Sequence, residues 1–210
     1  MAASPAVLEQ LRARVAPVAL AGERTFPAPT VLASVLSRQH IVRGHSMATA
    51  GPLATTTAAQ LIAPAVAEGA WVCLLQIPTI GLDALSECGV ALERVVAVDG
   101  PTTRWAELAA AAVDGFDVVL TTLPDGLRPG VFRRLVDRVR RRGAVLVVLG
   151  EPPAGCAVDV VVRSAAPQWS GITAGAGHLR SCSVELSIGG RRHGGQRRQR
   201  VDISGPARHE

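Results

Sequence analysis

The chain has 210 residues, of which 48% are hydrophobic, and its formal net charge of +5 comes from 22 arginines and no lysine. The missing lysine excludes a lysine Schiff base and the phosphate-binding lysine of a P-loop. The length suits one domain with a sizeable core, and every long apolar run is broken by Gly, Pro or charge before it could span a bilayer.

Residues 1–38 predict an N-terminal helical arm. Ser4-Pro5 is typical of a helix start, apolar residues then recur at helical spacing as far as Val15, and Pro17 ends the run. A second short helix is predicted over residues 30–38. Because no basic stretch precedes an apolar one, the sequence predicts no signal peptide, and we expect a cytoplasmic protein without a membrane partner.

Residues 39–188 predict an α/β core. Strands are expected at 39–43, 70–77, 94–98, 117–122, 144–149 and 158–162, and helices at 52–66, 82–88, 101–113 and 129–142. Because each helix falls between two apolar strands, right-handed crossovers and a mainly parallel sheet follow. Beyond Pro152 the helical pattern stops, and residues 184–188 and 200–203 are predicted to pair as an antiparallel hairpin at the edge.

A loop is predicted from Gly44 to Pro52, in the position of a phosphate-binding loop between a strand and a helix. Six residues separate Gly44 from Gly51, where a working loop has four, and Pro52-Leu53 replaces the required Lys and Ser/Thr. The predicted strand at 117–122 ends in Thr121-Thr122, without the carboxylate that helps to hold magnesium. Gly44, Gly51 and Pro52 therefore mark a degenerate nucleotide site, and no cofactor is expected.

Two other kinds of site are weakly indicated. Residues 44–48 resemble a nucleophile elbow centred on Ser46, with His178 or His193 as the histidine of a hydrolase. Too few residues precede Ser46 for the strands that normally come before an elbow, so a loop serine is favoured. The four cysteines contain no CxxC pair, which predicts buried free thiols and no metal site.

The stretch after the strand at 158–162 predicts a loop. Trp169 is followed there by Gly171, Gly175 and Gly177, and glycines at this density are typical of close backbone approaches. We expect Trp169 to be a half-buried anchor for that loop.

Positive charge is concentrated in the second part of the chain. Residues 1–127 hold 7 arginines and 11 acidic residues, whereas residues 128–210 hold 15 arginines and 6 acidic residues. In the helix at 129–142 an apolar stripe leaves most arginines on the solvent side. The basic, glycine-rich segment 189–210 is predicted as either a disordered tail or a binding arm. The candidate residues for binding a protein partner or nucleic acid are Arg138, Arg141, Arg142, Arg191, Arg192, Arg197, Arg198 and Arg200.

Several diffuse motifs together resemble one family. They are the loop at 44–52, Arg104-Trp105-Ala106-Glu107, residues 141–150, Trp169-Ser170-Gly171-Ile172, and residues 175–179 with the arginine-rich end that follows. Over roughly residues 30–205 the chain is similar to the actinobacterial ImuA/ImuA′ group, which are RecA-like proteins of the bacterial translesion mutasome. Val201-Asp202-Ile203 departs from the family, which usually closes with an aromatic strand.

The resemblance implies a RecA-like core and a non-catalytic accessory role in damage-induced, error-prone DNA synthesis near the nucleoid. The expected partners are an ImuB-like Y-family polymerase homologue and an error-prone C-family DNA polymerase complex. DNA is a further candidate partner, and a homo-oligomer is compatible with the sequence. The alternatives are a SulA-like inhibitor of cell division and a weak, DNA-binding RecA-like ATPase.

Overall fold

The computed structural model describes residues 24–33, 35–36, 39–173, 176–192 and 197–204. The helix predicted before Val15 lies outside these residues. The strands are β1 Thr25–Pro27, β2 His40–Val42, β3 Ser46–Ala50, β4 Val72–Leu75, β5 Val95–Val98, β6 Val118–Thr122, β7 Val145–Leu149, β8 Val160–Thr173, β9 Ala176–Gly189 and β10 Arg197–Ser204. The helices are α1 Thr30–Ala33, α2 Ala54–Ala67, α3 Leu82–Glu87, α4 Trp105–Gly115 and α5 Pro129–Arg142, with 3-10 turns at Leu92–Arg94 and Thr102–Arg104.

The main sheet has eight strands in the order β10-β9-β8-β3-β7-β6-β4-β5. The strands from β8 to β5 are all parallel to their neighbours, whereas β9 and β10 are antiparallel additions beyond β8. Strands β1 and β2 form a separate antiparallel pair. The predicted fold class, an α/β protein with a mostly parallel sheet and antiparallel C-terminal strands, is confirmed.

Helices cover the parallel strands on both faces. On one face α2 packs with Val72 and Leu74 of β4, and on the other α4 and α5 pack with Cys73 and Leu75 of the same strand. Alternate residues of a strand point to opposite faces, so a strand between two helical layers must be apolar along its whole length. The predicted stripe of α5 is confirmed, since its buried residues are Phe132, Leu135, Val136 and Val139.

The prediction was wrong at the start of the core. The segment predicted as a loop contains β3, which is buried along its whole length near the middle of the sheet. The preceding predicted strand contributes only β2, which belongs to the small sheet. The five residues of β3 are small or polar apart from Met47, and the strand is stabilised by tertiary contacts: Ser46 is hydrogen-bonded to Asp159, 113 positions away. Local sequence does not reveal such a partner.

The loop predicted around Trp169 was also wrong. Strands β8 and β9 each have 14 residues and pair across this region. A register shift between Ala165 and Gln168 absorbs an extra residue, and Ala166 has a φ of 47° there. Such a bulge explains why turn-forming residues lie inside a strand. Trp169 itself is 52% exposed and lies on β8 rather than in a loop.

The C-terminal segment supplies a strand to the same sheet. The predicted pairing of residues 200–203 is confirmed and extends over the whole of β10, from Arg197 opposite Ile188 to Ser204 opposite Ser181. The alternative of a disordered tail is therefore wrong for residues 197–204.

The cysteines are free thiols, as predicted: Cys73, Cys156 and Cys182 are buried and Cys88 is partly exposed. Burial raises the pKa of the Cys73 thiol to about 11. Among the residues that the structure describes, none of the helices is both long and apolar enough to cross a bilayer.

Candidate functional site

The connection from β3 to α2 is a three-residue turn, Gly51-Pro52-Leu53. The Ser164 hydroxyl on β8 accepts a hydrogen bond from the Leu53 amide at 2.9 Å and donates one to the Ala50 carbonyl at 3.0 Å. Gly51 has a φ of +89°, and a Cβ placed on it would lie 2.0 Å from the Ser164 carbonyl oxygen. The Leu53 amide, at the start of α2, is therefore already bonded to the protein.

The three residues predicted to mark the degenerate nucleotide site do not share a loop. Gly51 and Pro52 lie in the turn after β3, whereas Gly44 lies before β3, where its amide donates to the Ala144 carbonyl at 2.7 Å. The five residues of β3, at about 3.3 Å each, lie between Gly44 and Gly51. Only the turn at Gly51 occupies the position between strand and helix where a phosphate loop would lie.

The end of β6 is the position of the magnesium-binding carboxylate in a working nucleotide site. Here Thr121 occupies it and forms hydrogen bonds within the protein. The Thr121 side chain is fully buried. Its hydroxyl accepts a hydrogen bond from the Trp105 indole nitrogen at 3.1 Å and donates to the Thr122 carbonyl at 2.9 Å. Thr121 thus fixes the start of α4 against the sheet.

A cleft of about 420 Å³ opens at the carboxyl ends of β4, β5 and β6. Gln76 forms one wall in a left-handed conformation, with φ 52°, and its side chain donates to the Gly100 carbonyl at 2.9 Å. Asp99 and Asp125 also line the cleft and have no ion-pair partner among the described residues. Two carboxylates repel a phosphate that binds without a bridging cation. No group of three potential metal ligands occurs in the described part of the chain.

The opposite, amino edge of the parallel strands contains a buried carboxylate, Asp159, directly before β8. It accepts hydrogen bonds on Oδ2 from the Ser46 amide at 3.0 Å and the Ser46 hydroxyl at 2.9 Å. Burial disfavours the charged form, but these bonds and the nearby His45 and Arg140 charges outweigh it and hold the pKa of Asp159 below its usual value. Ser46 is thus a buried partner of Asp159 rather than the exposed nucleophile of a hydrolase.

Three arginines converge on the other oxygen of this carboxylate. The distances to Asp159 Oδ1 are 3.3 Å from Arg140 and Arg191 and 3.4 Å from Arg192. Arg191 and Arg192 are held there by the backbone, since the Arg192 amide donates to the Asp159 carbonyl at 3.1 Å. We call the group the Asp159 corner; its members are Asp137, Arg140, Asp159, Arg191 and Arg192.

The other predicted arginines have different surroundings. Arg138 pairs with both carboxylate oxygens of Asp114, which Arg142 also contacts at 3.1 Å, and these bonds, led by that from Arg138, lower the pKa of Asp114. On β10, Arg198 lies 3.7 Å from Glu185, and Arg200 donates to Gln168 at 2.9 Å.

Arg141 and Arg197 have no polar partner among the described residues, and both are exposed. Of the eight predicted residues, Arg191 and Arg192 therefore meet at one corner, whereas Arg138 and Arg142 share the carboxylate of Asp114.

Sequence reasoning missed Asp159 and did not select Arg140. The available signal for Asp159 was a single acidic residue at the start of an apolar strand, Val158-Asp159-Val160. Such a carboxylate must be paired or hydrogen-bonded when buried. Nothing local indicates that the partners are Ser46, at the start of β3, and arginines from two other elements.

The fold and site together define a class: an α/β protein whose phosphate-loop position is closed and whose surplus positive charge lies at the amino edge of its sheet. The family model described as the MT3502 N-terminal domain matches residues 34–154. The chain belongs to this family. The matched region runs through β7 and stops before the Asp159 corner is completed by β8 and β9.

A curated relative is the uncharacterized protein Rv3395c of Mycobacterium tuberculosis (strain ATCC 25618 / H37Rv). It is 31% identical over 138 residues, which cover 62% of this chain and 66% of the relative. The alignment therefore spans just under two thirds of that protein's length.

Proposed function

We propose that this protein is a RecA-like, non-catalytic accessory subunit of an error-prone translesion DNA synthesis complex. The resemblance to the ImuA/ImuA′ group names the process and the RecA-like core. The eight-stranded sheet supports that core because parallel strands lie between two helical layers, with β9 and β10 added antiparallel at one edge.

The observation that carries the non-catalytic part is the closed turn between β3 and α2. A phosphate loop needs several free backbone amides at the start of its helix. Here the turn has three residues, one of which is a proline without an amide hydrogen, and the Leu53 amide bonds to Ser164. Binding of a nucleotide phosphate would require this turn to open.

The arginine-rich C-terminal region supports a role in assembly. Arg198 and Arg200 lie on the outer face of an edge strand, where an ImuB-like polymerase homologue or a C-family polymerase complex could reach them. Their acidic neighbour Glu185 is at 3.7 Å from Arg198, so these charges are only weakly satisfied within the chain. Weakly satisfied arginines are common at protein interfaces.

The test is an affinity capture from damage-treated source cells, after nuclease treatment to remove bridging DNA. The bait is the full chain and its variant Arg197→Glu/Arg198→Glu/Arg200→Glu. Point variants are needed because deleting residues 190–210 would also remove β10 and the buried Ile203. Recovery of a Y-family polymerase-like protein by the unaltered chain, lost in the variant, supports the proposal.

Two results would overturn it. Recovery of the division GTPase, with cell filamentation on overproduction, would indicate the SulA-like alternative. Magnesium-dependent ATP hydrolysis by the pure protein, retained after removal of trace contaminants, would contradict a non-catalytic role.

A further inference from the structure

Several arginines in the described part of the chain are paired with acidic side chains away from Asp159. Arg43 pairs with Asp117, Arg138 with Asp114, Arg163 with Glu151 and Arg104 with Glu107. Each of these guanidinium groups faces a carboxylate of its own or shares one with a single further arginine. Among these four carboxylates Asp114 alone is contacted by two of the described arginines, Arg138 and Arg142.

The Asp159 corner differs because three arginines converge on one oxygen of a buried carboxylate. Arg140, Arg191 and Arg192 share the single oxygen Oδ1 of Asp159, and Arg140 has a second carboxylate, Asp137, at 3.3 Å. Three arginines therefore stand against two aspartates.

Hydrogen-bond capacity leads to the same conclusion. A guanidinium group has five N–H donors, and Arg191 uses one of them on Asp159. The side chains of Arg140, Arg191 and Arg192 are 38%, 46% and 54% exposed, so unused donors face solvent. One arginine would suffice to neutralise Asp159, and the additional guanidinium groups exceed that structural need.

The corner is also rigid, which lowers the cost of binding a ligand. The Asp159 carboxylate is fixed by two hydrogen bonds from Ser46. Gly190 packs so closely on Asp159 that an added Cβ would lie 2.4 Å from its carbonyl oxygen. The guanidinium groups are thus presented by two elements that are both anchored to the same strand end.

We infer that the Asp159 corner is a binding site for the phosphates of a nucleic-acid backbone. Arginine binds phosphate oxygens with paired N–H donors, and counterion release makes several neighbouring arginines an effective phosphate site. The inference names a contact beyond the proposed function and depends on that proposal only for the choice of DNA over RNA.

The surroundings favour a polyanion that extends beyond one phosphate. Arg198, on β10, lies opposite Ser187 of β9, which pairs with Arg163, four positions along β8 from Asp159. About 10 Å across two strands and about 13 Å along them place Arg198 about 16 Å from Asp159, a span of roughly five phosphates along one strand of duplex DNA at about 3.4 Å each. Among the described residues no aromatic ring stacks on these arginines, so the recognition is of the backbone and not of the bases.

The test is fluorescence anisotropy of a short labelled DNA duplex with the full chain, repeated from about 50 mM to 200 mM salt, the range over which phosphate contacts lose most affinity. For the variant Arg191→Gln/Arg192→Gln we expect affinity to fall on the order of tenfold or more, and the salt slope to fall by about 1.5 to 2. The matched control, Arg133→Gln/Arg134→Gln, removes the same charge from exposed positions near the other end of α5, and it should bind like the unaltered chain.

A second variant protects the inference from a folding artefact. Asp137→Asn removes an exposed acid that pairs with Arg140, and it should tighten DNA binding by about two- to threefold, because one further charge becomes available. Equal losses in both double variants would overturn the inference, since they would show a non-specific charge effect. Absence of DNA binding would overturn it as well. So would an acidic peptide that stays bound at a higher salt concentration than DNA does. Capture of a polymerase partner in nuclease-treated extract is independent of all these outcomes, so the proposed function and the inference can fail separately.

Discussion

The two edges of the parallel strands differ in charge and in how accessible their backbone and side chains are. At the carboxyl edge, the turn at Gly51 is sealed by Ser164, and the neighbouring cleft is lined by Asp99 and Asp125. At the amino edge, arginines crowd around Asp159. Parallel α/β sheets usually bind ligands at the carboxyl edge. In this protein the exposed arginines lie at the other edge. The fold class alone therefore does not predict which edge of the sheet is positively charged.

The largest effect is expected where the carboxyl edge is closed. Gly51→Ala should lower the free energy of unfolding by about 3 kcal/mol or more, because the new Cβ meets the Ser164 carbonyl and the backbone is left-handed. Urea denaturation of the pure protein measures it. The control is Gly126→Ala, with a φ of +71° but nothing within 4 Å of its Cβ, which should cost only about 1 to 2 kcal/mol. Equal losses would mean that the turn at Gly51 is not tightly closed.

The amino edge should respond to loss of its buried carboxylate. Asp159→Asn should cost about 2 to 3 kcal/mol at neutral pH, because three arginines lose their shared anion. The pKa of Asp159 is lower in the folded state than in the unfolded chain. The charged carboxylate therefore stabilises the fold fully above the unfolded-state pKa of about 3.9, and this stabilisation is lost as the pH falls through the folded-state pKa.

Denaturation at several pH values checks both statements about Asp159. The difference in the free energy of unfolding between the unaltered chain and Asp159→Asn should be constant near neutral pH and should decrease below about pH 4. Asp137→Asn, at an exposed position on the same corner, should leave stability nearly unchanged at every pH. If this difference in the free energy of unfolding increased on acidification, it would contradict the assigned direction of the pKa shift of Asp159.

A smaller effect is expected from the side chain that caps the β3–α2 turn. Ser164→Ala removes both the acceptor of the Leu53 amide and the donor to the Ala50 carbonyl, and it should cost about 1 to 2 kcal/mol. Ser187→Ala, at a partly exposed position on β9, should cost less than about 0.5 kcal/mol. If Ser164→Ala left the free energy of unfolding unchanged, the conformation of the turn would depend on Gly51 alone. Nucleotide binding should then be measured with this variant.

The sequence by itself determined the regular part of the fold. Helix α5 begins and ends at the predicted residues, because Pro129 at its first position, a strict apolar stripe and Gly143 after its end are all local signals. Strands β4, β6 and β7 were also found, since burial between two helical layers requires continuous apolar runs. The concentration of arginine in the second part of the chain was likewise visible in the sequence.

Only the tertiary structure decided where the sites lie. Small and polar residues made β3 look like a loop, because its stability depends on Asp159 and Ser164, which are more than a hundred positions away. The predicted arginines could not be sorted into neutralised and surplus charges, because the sorting depends on which carboxylates the fold brings close. Pairing between distant elements has no local signature, so the closed turn and the Asp159 corner became visible only once the strands were in register.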